Sequence, residues 1–156
     1  MDHAVQGQKS GLIEKRMKIA QISPYFPPHV GGVEYHVKEL AEGLAGRGHE
    51  VTVVSSAGRW SGELLAVPSI NLFYSPIPIK LPRIQADIYH SHIPSPLFAY
   101  RFRHKAPHVV TYHNDVLLPD SYRGHALPRW FSSSVEKSSD WLVRSILDEA
   151  EMIVAT

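Results

Sequence analysis

The 156-residue chain sits close to one average domain on a prior of about 150 residues per domain. Charged residues make up 20% and the hydrophobic set 44%, which excludes a charge-driven disordered chain; 16 basic against 15 acidic residues leave +1, too little for nucleic-acid binding through overall field. With no cysteine, disulfide scaffolds, thiolate metal sites and cysteine nucleophiles are excluded, and no apolar run approaches the roughly 20 residues of a membrane span.

Residues 1–16 are polar, without apolar period or secretory leader, and read as a disordered extension or an upstream start ahead of the fold. The missing leader and missing cysteines point to a cytoplasmic location. A buried strand is expected over about 18–23. Ser23-Pro24-Tyr25-Phe26-Pro27-Pro28 follows, and its prolines forbid both helix and strand pairing, so it reads as a stiff loop. Gly31-Gly32 then open a helix whose apolar stripe is Val33, Val37, Leu40, Ala41, Leu44 and Ala45. Glu34 falls in its first turn, where the dipole favours an anion, and Gly48 fits just past its end. Residues 51–56 are a second strand. Strand, helix and strand within about 40 residues form a βαβ unit, the building block of a parallel sheet.

Nine of the 12 prolines lie between Pro68 and Pro128. A strand is expected over 70–74 and a buried one over 87–92. Ser95-Pro96 starts a short helix that Pro107 stops, 108–112 is strand-like, a helix covers about 135–149, and 152–155 is a last strand. No repeat or low-complexity tract interrupts this order. One connection fails on length: about seven residues separate Ile79 from Asp87, where a parallel crossover needs a dozen or more. Either the earlier segment is no parallel strand, or chain is missing there.

Three candidate constellations sit at successive strand ends, where open parallel sheets collect ligands. Around Pro28-His29-Val30-Gly31-Gly32-Val33-Glu34, paired glycines at a helix mouth either let phosphate approach free N–H groups or simply make a tight turn. No G-x-G-x-x-G or G-K-[ST] accompanies them. Alternation puts His90 and His92 on one strand face, where they bind metal, hydrogen-bond a polar ligand, or serve as structural histidines. Thr111-Tyr112-His113-Asn114-Asp115 presents a third imidazole to the same crevice. The basic cluster Arg101, Arg103, His104 and Lys105 reads first as solvated charge at a helix end, and otherwise as a seat for an anion or acidic membrane. Tyr25, Phe26, Tyr74 and Tyr112 line a pocket or pack the core.

The segments IAQISPYFPPHVGGVEYHVKELAEGLAGRGHEVTVVSS, ADIYHSHIPSPLFAY, HVVTYHND and LDEAEMIVAT, in this order, resemble the N-terminal half of family-4 retaining glycosyltransferases of the GT-B fold. The likeness runs from about Met17 to the end. It implies an α/β, Rossmann-like parallel sheet flanked by helices, one half of a two-domain catalyst with its active site in the cleft between halves. Residues 17–156 would be the acceptor-side domain. The donor-binding C-terminal domain, with its E-x₇-E element, would be absent. By the same resemblance, backbone N–H groups of Gly31 and Gly32 approach the donor diphosphate. His113 matches the histidine of the T-[YF]-H motif, beside the transferred sugar. His92 lies toward the acceptor, with Tyr25, His29, Asn114 and Asp115 in its pocket. No bound metal is needed. The complete enzyme would move a hexose from a nucleoside-diphosphate sugar to a hydroxyl on a sugar or lipid, with peripheral membrane contact and no nucleic acid, and the isolated chain would be inactive. Two rival readings are a metal-dependent hydrolase built on His90, His92, His113 and Asp115, and a non-catalytic sugar- or lipid-binding module.

Overall fold

The structure, a computed structural model, describes residues 15–72, 75–93, 95–105, 107–113, 121–122, 125–126 and 128–155. Its elements are β1 (Lys18–Ile22), α1 (Gly32–Gly46), β2 (Glu50–Ser55), β3 (Glu63–Ala66), β4 (Ser69–Leu72), β5 (Ser75–Pro78) and β6 (Ile88–Ile93). They continue with α2 (Pro96–Tyr100), β7 (His108–Tyr112), β8 (Ser121–Tyr122), β9 (His125–Ala126), α3 (Arg129–Leu147) and β10 (Met152–Ala155).

Six strands form one parallel sheet in the order β10-β7-β6-β1-β2-β3. This is the α/β, Rossmann-like architecture expected from the βαβ pattern. From β1 the chain winds outward through β2 to β3, and from β6 it winds the other way through β7 to β10. The reversal falls between β1 and β6, and the crevice beyond their carboxyl ends is where such sheets accept ligands.

Strand alternation and register divide the sheet into two faces. Ile19, Gln21, Val51, Val53, His90, His92 and Thr111 share the α1 face, whereas Ala20, Ile22, Val54, Tyr89, Ile93 and Val110 share the α2 and α3 face. Under α1, its apolar stripe (Val33, Val37, Ala41, Leu44) packs with Phe26, Val51 and Val53. On the opposite face Phe98 and Phe102 pack against Ala20, Ile22, Val54 and Tyr89, and Ile146 of α3 packs with Ile93, Ala99 and Val110. Phe26, Phe98 and Phe102 are almost completely buried, each contributing about 1.5–3 kcal/mol of transfer free energy. Phe26 thus packs the core, and it also borders a cleft with Pro28, His29 and Arg59.

The expected order holds with four corrections. Residues 69–78 are no parallel strand: β4 and β5 form an antiparallel hairpin, which requires no crossover and removes the length conflict before Asp87. Strand β3 was not expected, because Glu63-Leu64-Leu65-Ala66 is a short edge without period-2 alternation. Helix α2 ends at Tyr100 and passes into turns rather than running toward Pro107. Helix α3 begins at Arg129, ahead of its apolar period, with Pro128 as its extended cap.

Candidate functional site

At the carboxyl ends of β1, β6 and β7 the α1 face carries polar side chains in place of the aliphatic ones that fill the same face lower down. Gln21 is fully buried and His92 is 1% exposed. Gln21 Oε1 lies 2.7 Å from His92 Nε2. A carbonyl oxygen only accepts, so His92 donates from Nε2, and its Nδ1 is left to accept. His113 Nε2 stands 3.1 Å from that Nδ1 and donates to it. On the other side, the Gln21 amide nitrogen donates to His90 Nδ1 at 3.4 Å, and His90 Nε2 donates to Thr111 Oγ1 at 2.7 Å. Every bond in the run Thr111–His90–Gln21–His92–His113 is consistent with neutral imidazoles and one orientation of the Gln21 amide.

The electrostatics agree with that assignment. Burial, and then the neighbouring imidazoles, push His90 down to about 4. The same causes hold His92 well below its ordinary value. His113 is lowered by burial and then by His36. His90, His92 and His113 stack in series, and with each held below its ordinary value all three are neutral near pH 7.

Helix α1 forms the opposite lip. Its cap, Gly31, has φ −173°, extended backbone that any residue adopts, so the turn itself does not call for glycine. The space beside it, however, is already taken. A Cβ at Gly31 would fall 2.1 Å from Glu34 Oε2, because the Glu34 carboxylate folds back over the cap. Glu34 is held there by His29 Nδ1 at 2.9 Å. Gly32, by contrast, faces open space. No side chain caps this helix, and the first intrahelical bond runs from Tyr35 N to Gly31 O. The N–H groups of the first turn therefore point out of the helix end with the positive end of its dipole.

Tyr25 stacks on His29 with ring centroids 4.3 Å apart and donates its hydroxyl to Asn71 at 3.2 Å. Burial, then the Glu34 carboxylate, raises its phenol above the ordinary value. Beside it opens a cleft of about 290 Å³ floored by Ser56, Ala57, Val67 and Ser69. A second cleft, lined by Lys18, Glu50 and Arg83, lies at the amino ends of the strands, the wrong end of a parallel sheet for the chemistry above.

The structure thus gathers Tyr25, His29, Gly31, Gly32, His92 and His113 at one rim; Asn114 and Asp115, like Tyr74, lie outside the described residues. His90 joins the network with both nitrogens engaged, so it is no ligand of a His90–His92–His113 metal set. Tyr112 packs against the cluster around Ile93 and Ile146. In the basic cluster, Arg103 and His104 pair with Glu149, and the Arg103 guanidinium lies 3.6 Å over the Tyr100 ring, so these charges serve the local fold. Two participants were missed from sequence. Gln21 carried a readable signal, a long amide inside an otherwise apolar strand. His36, whose ring centroid is 5.0 Å from that of His113, carried none, because a histidine on a helix reads as surface.

The model of a known sequence family, Glycosyltransferase Family 4, matches residues 30–156. A human relative, one subunit of phosphatidylinositol N-acetylglucosaminyltransferase, is 30% identical over 98 residues, which make up 62% of this chain and 20% of that relative. The chain spans about one fifth of the length of this curated relative.

Proposed function

The chain belongs to glycosyltransferase family 4, and from that premise we propose that it is the acceptor-side half of a retaining transferase. The complete enzyme moves a hexose from a nucleoside-diphosphate donor to a hydroxyl acceptor. The observation that carries this reading is the approach of His113 to α1 beyond the carboxyl ends of the strands, where its ring centroid lies 5.0 Å from that of His36.

His113 donates from Nε2 to His92, so its Nδ1 carries the lone pair. The buried Gln21–His92 pair fixes that tautomer and the ring's position. In this reading His113 sits against the transferred sugar and supports the positive charge that develops at its anomeric carbon, while N–H groups at Gly31 and Gly32 receive the charge leaving on the diphosphate. Gly32 offers the unobstructed approach. The acceptor occupies the cleft beside Tyr25, with His29 and His92 at its wall and Asn114 and Asp115 completing it. No resident metal takes part in the transfer. A second domain supplies the donor nucleotide's contacts, so residues 17–156 alone turn nothing over.

The human relative's name couples an N-acetylglucosaminyl group to phosphatidylinositol, which supports a lipid-linked hydroxyl as the acceptor class. Among the described residues no helix is long and apolar enough to cross a membrane. Peripheral contact, from the cytoplasmic side, is the form of attachment this reading takes.

The test is activity of the complete open reading frame on a panel of nucleotide sugars, with the anomeric configuration of the product read by NMR. Another roughly 170–200 residues carrying E-x₇-E should follow Thr156 in that frame, given ordinary domain size. Product with retained configuration, and a kcat about 10²–10³-fold lower in His113→Ala, are expected. An inverted product, or a His113→Ala enzyme of full activity, would refute the reading.

A further inference from the structure

Outside the relay itself, the crevice holds one more imidazole. His36, His92 and His113 each present one ring nitrogen, and the three nitrogens lie within 4.8 Å of one another. His92 turns Nδ1 into this group and fixes its other nitrogen on Gln21, whereas His90 has both of its nitrogens engaged outside it. We propose that His36, His92 and His113 form a three-imidazole site for a borderline divalent cation of the zinc(II) type.

The geometry is close to what such an ion requires. Zinc–nitrogen bonds of about 2.0–2.1 Å in a tetrahedron set ligand nitrogens roughly 3.3–3.4 Å apart. His92 Nδ1 and His113 Nε2 already stand 3.1 Å apart. Only His36 has to close in, by at most about 1.5 Å, the difference between the 4.8 Å bound and that spacing. The surroundings are also those of a ligand. His92 donates its far nitrogen, Nε2, to the buried Gln21 carbonyl, which aims the Nδ1 lone pair into the group. Metal-bound histidines are typically oriented this way by an acceptor on their other nitrogen. A neutral imidazole is the form that binds, and three imidazoles without a carboxylate select zinc, copper or nickel over magnesium and calcium. Three protein ligands leave the fourth position to water or substrate.

Binding asks His113 to present Nε2 as a lone pair, so its proton passes to Nδ1 and the ring adopts the other neutral tautomer. With the proton on Nδ1, His113 no longer offers the lone pair that the proposed transfer turns toward the sugar, so occupancy opposes turnover. That consequence rests on the glycosyl-transfer reading. The binding itself does not, and it is measured without turnover.

The experiment titrates zinc(II) into the chelator-washed 156-residue chain against a chromophoric competitor, with magnesium(II) in excess. One equivalent is expected to bind and to resist magnesium. His36→Ala, which leaves the Gln21–His92–His113 relay intact, should weaken binding at least about tenfold, and Gln21→Leu about 10–100-fold by loosening His92. Cobalt(II) provides a readout on the unaltered chain: strong tetrahedral visible bands support the site, and bands no stronger than those of the aqueous ion overturn it. Ten histidines offer scattered surface binding. Retention of the tight equivalent in His36→Ala, or absence of a stoichiometric equivalent in the unaltered chain, therefore also overturns it.

Discussion

Gln21 and His92, separated by 71 positions in sequence, meet at 2.7 Å in the buried heart of the sheet, and their bond sets the tautomer of His92 and so the donor atom of His113. Both side chains are shut away from water, so neither has a solvent partner to fall back on. Gln21→Leu, close in volume, removes the acceptor for His92 and the donor for His90 together. The expected cost is about 1–3 kcal/mol for each buried polar atom left unmatched, read as a lower urea midpoint at unchanged m-value. In the complete enzyme the same variant should lower kcat and also raise KM, because it misplaces His113 and loosens His92 at the wall of the acceptor cleft. An unchanged midpoint would remove the relay from the account.

Gly31 and Glu34 make a second testable pair. Gly31→Ala drives a Cβ into the Glu34 carboxylate, and relief requires Glu34 to swing out and leave His29. Glu34→Ala empties that space. In the Glu34→Ala background, Gly31→Ala should therefore be nearly harmless, and the double-mutant cycle should return a coupling of about 0.5–3 kcal/mol. Additive losses would mean that Gly31 is glycine for another reason, such as the approach of a ligand to its backbone.

Acid should unfold the chain early. The folded-state value of His90 is depressed from 6.5 to about 4, and burial also lowers His108, whose Nε2 lies 2.8 Å from Ser91 Oγ on the opposite face. A depressed histidine binds fewer protons folded than unfolded, so stability is full above the unfolded value and falls as pH drops below it. For His90 the loss runs from about pH 6.5 to about pH 4 and amounts to roughly 3 kcal/mol at its lower end. Melting temperature measured across that range should drop steeply below pH 6, and His90→Gln should flatten the curve. A Tm indifferent to pH between 7 and 4 would contradict the neutral imidazole network.

The sequence made the parallel sheet legible because β1, α1 and β2 are locally unambiguous: an apolar strand, a stripe at helical period, and a second apolar strand. It made His92 and His113 legible because both lie at strand ends, where alternation and topology say what a side chain faces. The hairpin of β4 and β5 was hidden, since Ile70 and Ile77 look like core yet Ile70 is 63% exposed, and only the short run to Asp87 argued against a parallel strand. The rule at Gly31 was hidden for a different reason. It depends on where the Glu34 side chain turns after folding, three residues away, and no spacing encodes a rotamer. Tertiary proximity likewise hid His36, whose ring comes within 5.8 Å of that of His92 and 5.0 Å of that of His113 only once the chain has folded.

Helix α3 offers a surface that bears on the proposed membrane contact. Trp130, Ser134, Lys137, Trp141 and Arg144 recur at three- and four-residue steps and share one stripe, opposite the buried Ser139 and Ile146. Trp130 is 72% and Trp141 59% exposed. Two exposed indoles interleaved with two cations, Trp130 standing clear and Trp141 leaning with one side on the Tyr100 ring at 5.8 Å, match the composition of a helix lying flat at an anionic lipid surface, indoles at the headgroup level and cations near lipid phosphates. The chain should therefore sediment with vesicles containing phosphatidylserine and much less with phosphatidylcholine alone. Trp130→Ala with Trp141→Ala should abolish that binding, and Lys137→Gln with Arg144→Gln should reduce it by about 1 kcal/mol per charge, a shift that salt mimics. Binding that survives loss of both tryptophans would move the membrane contact elsewhere on the molecule.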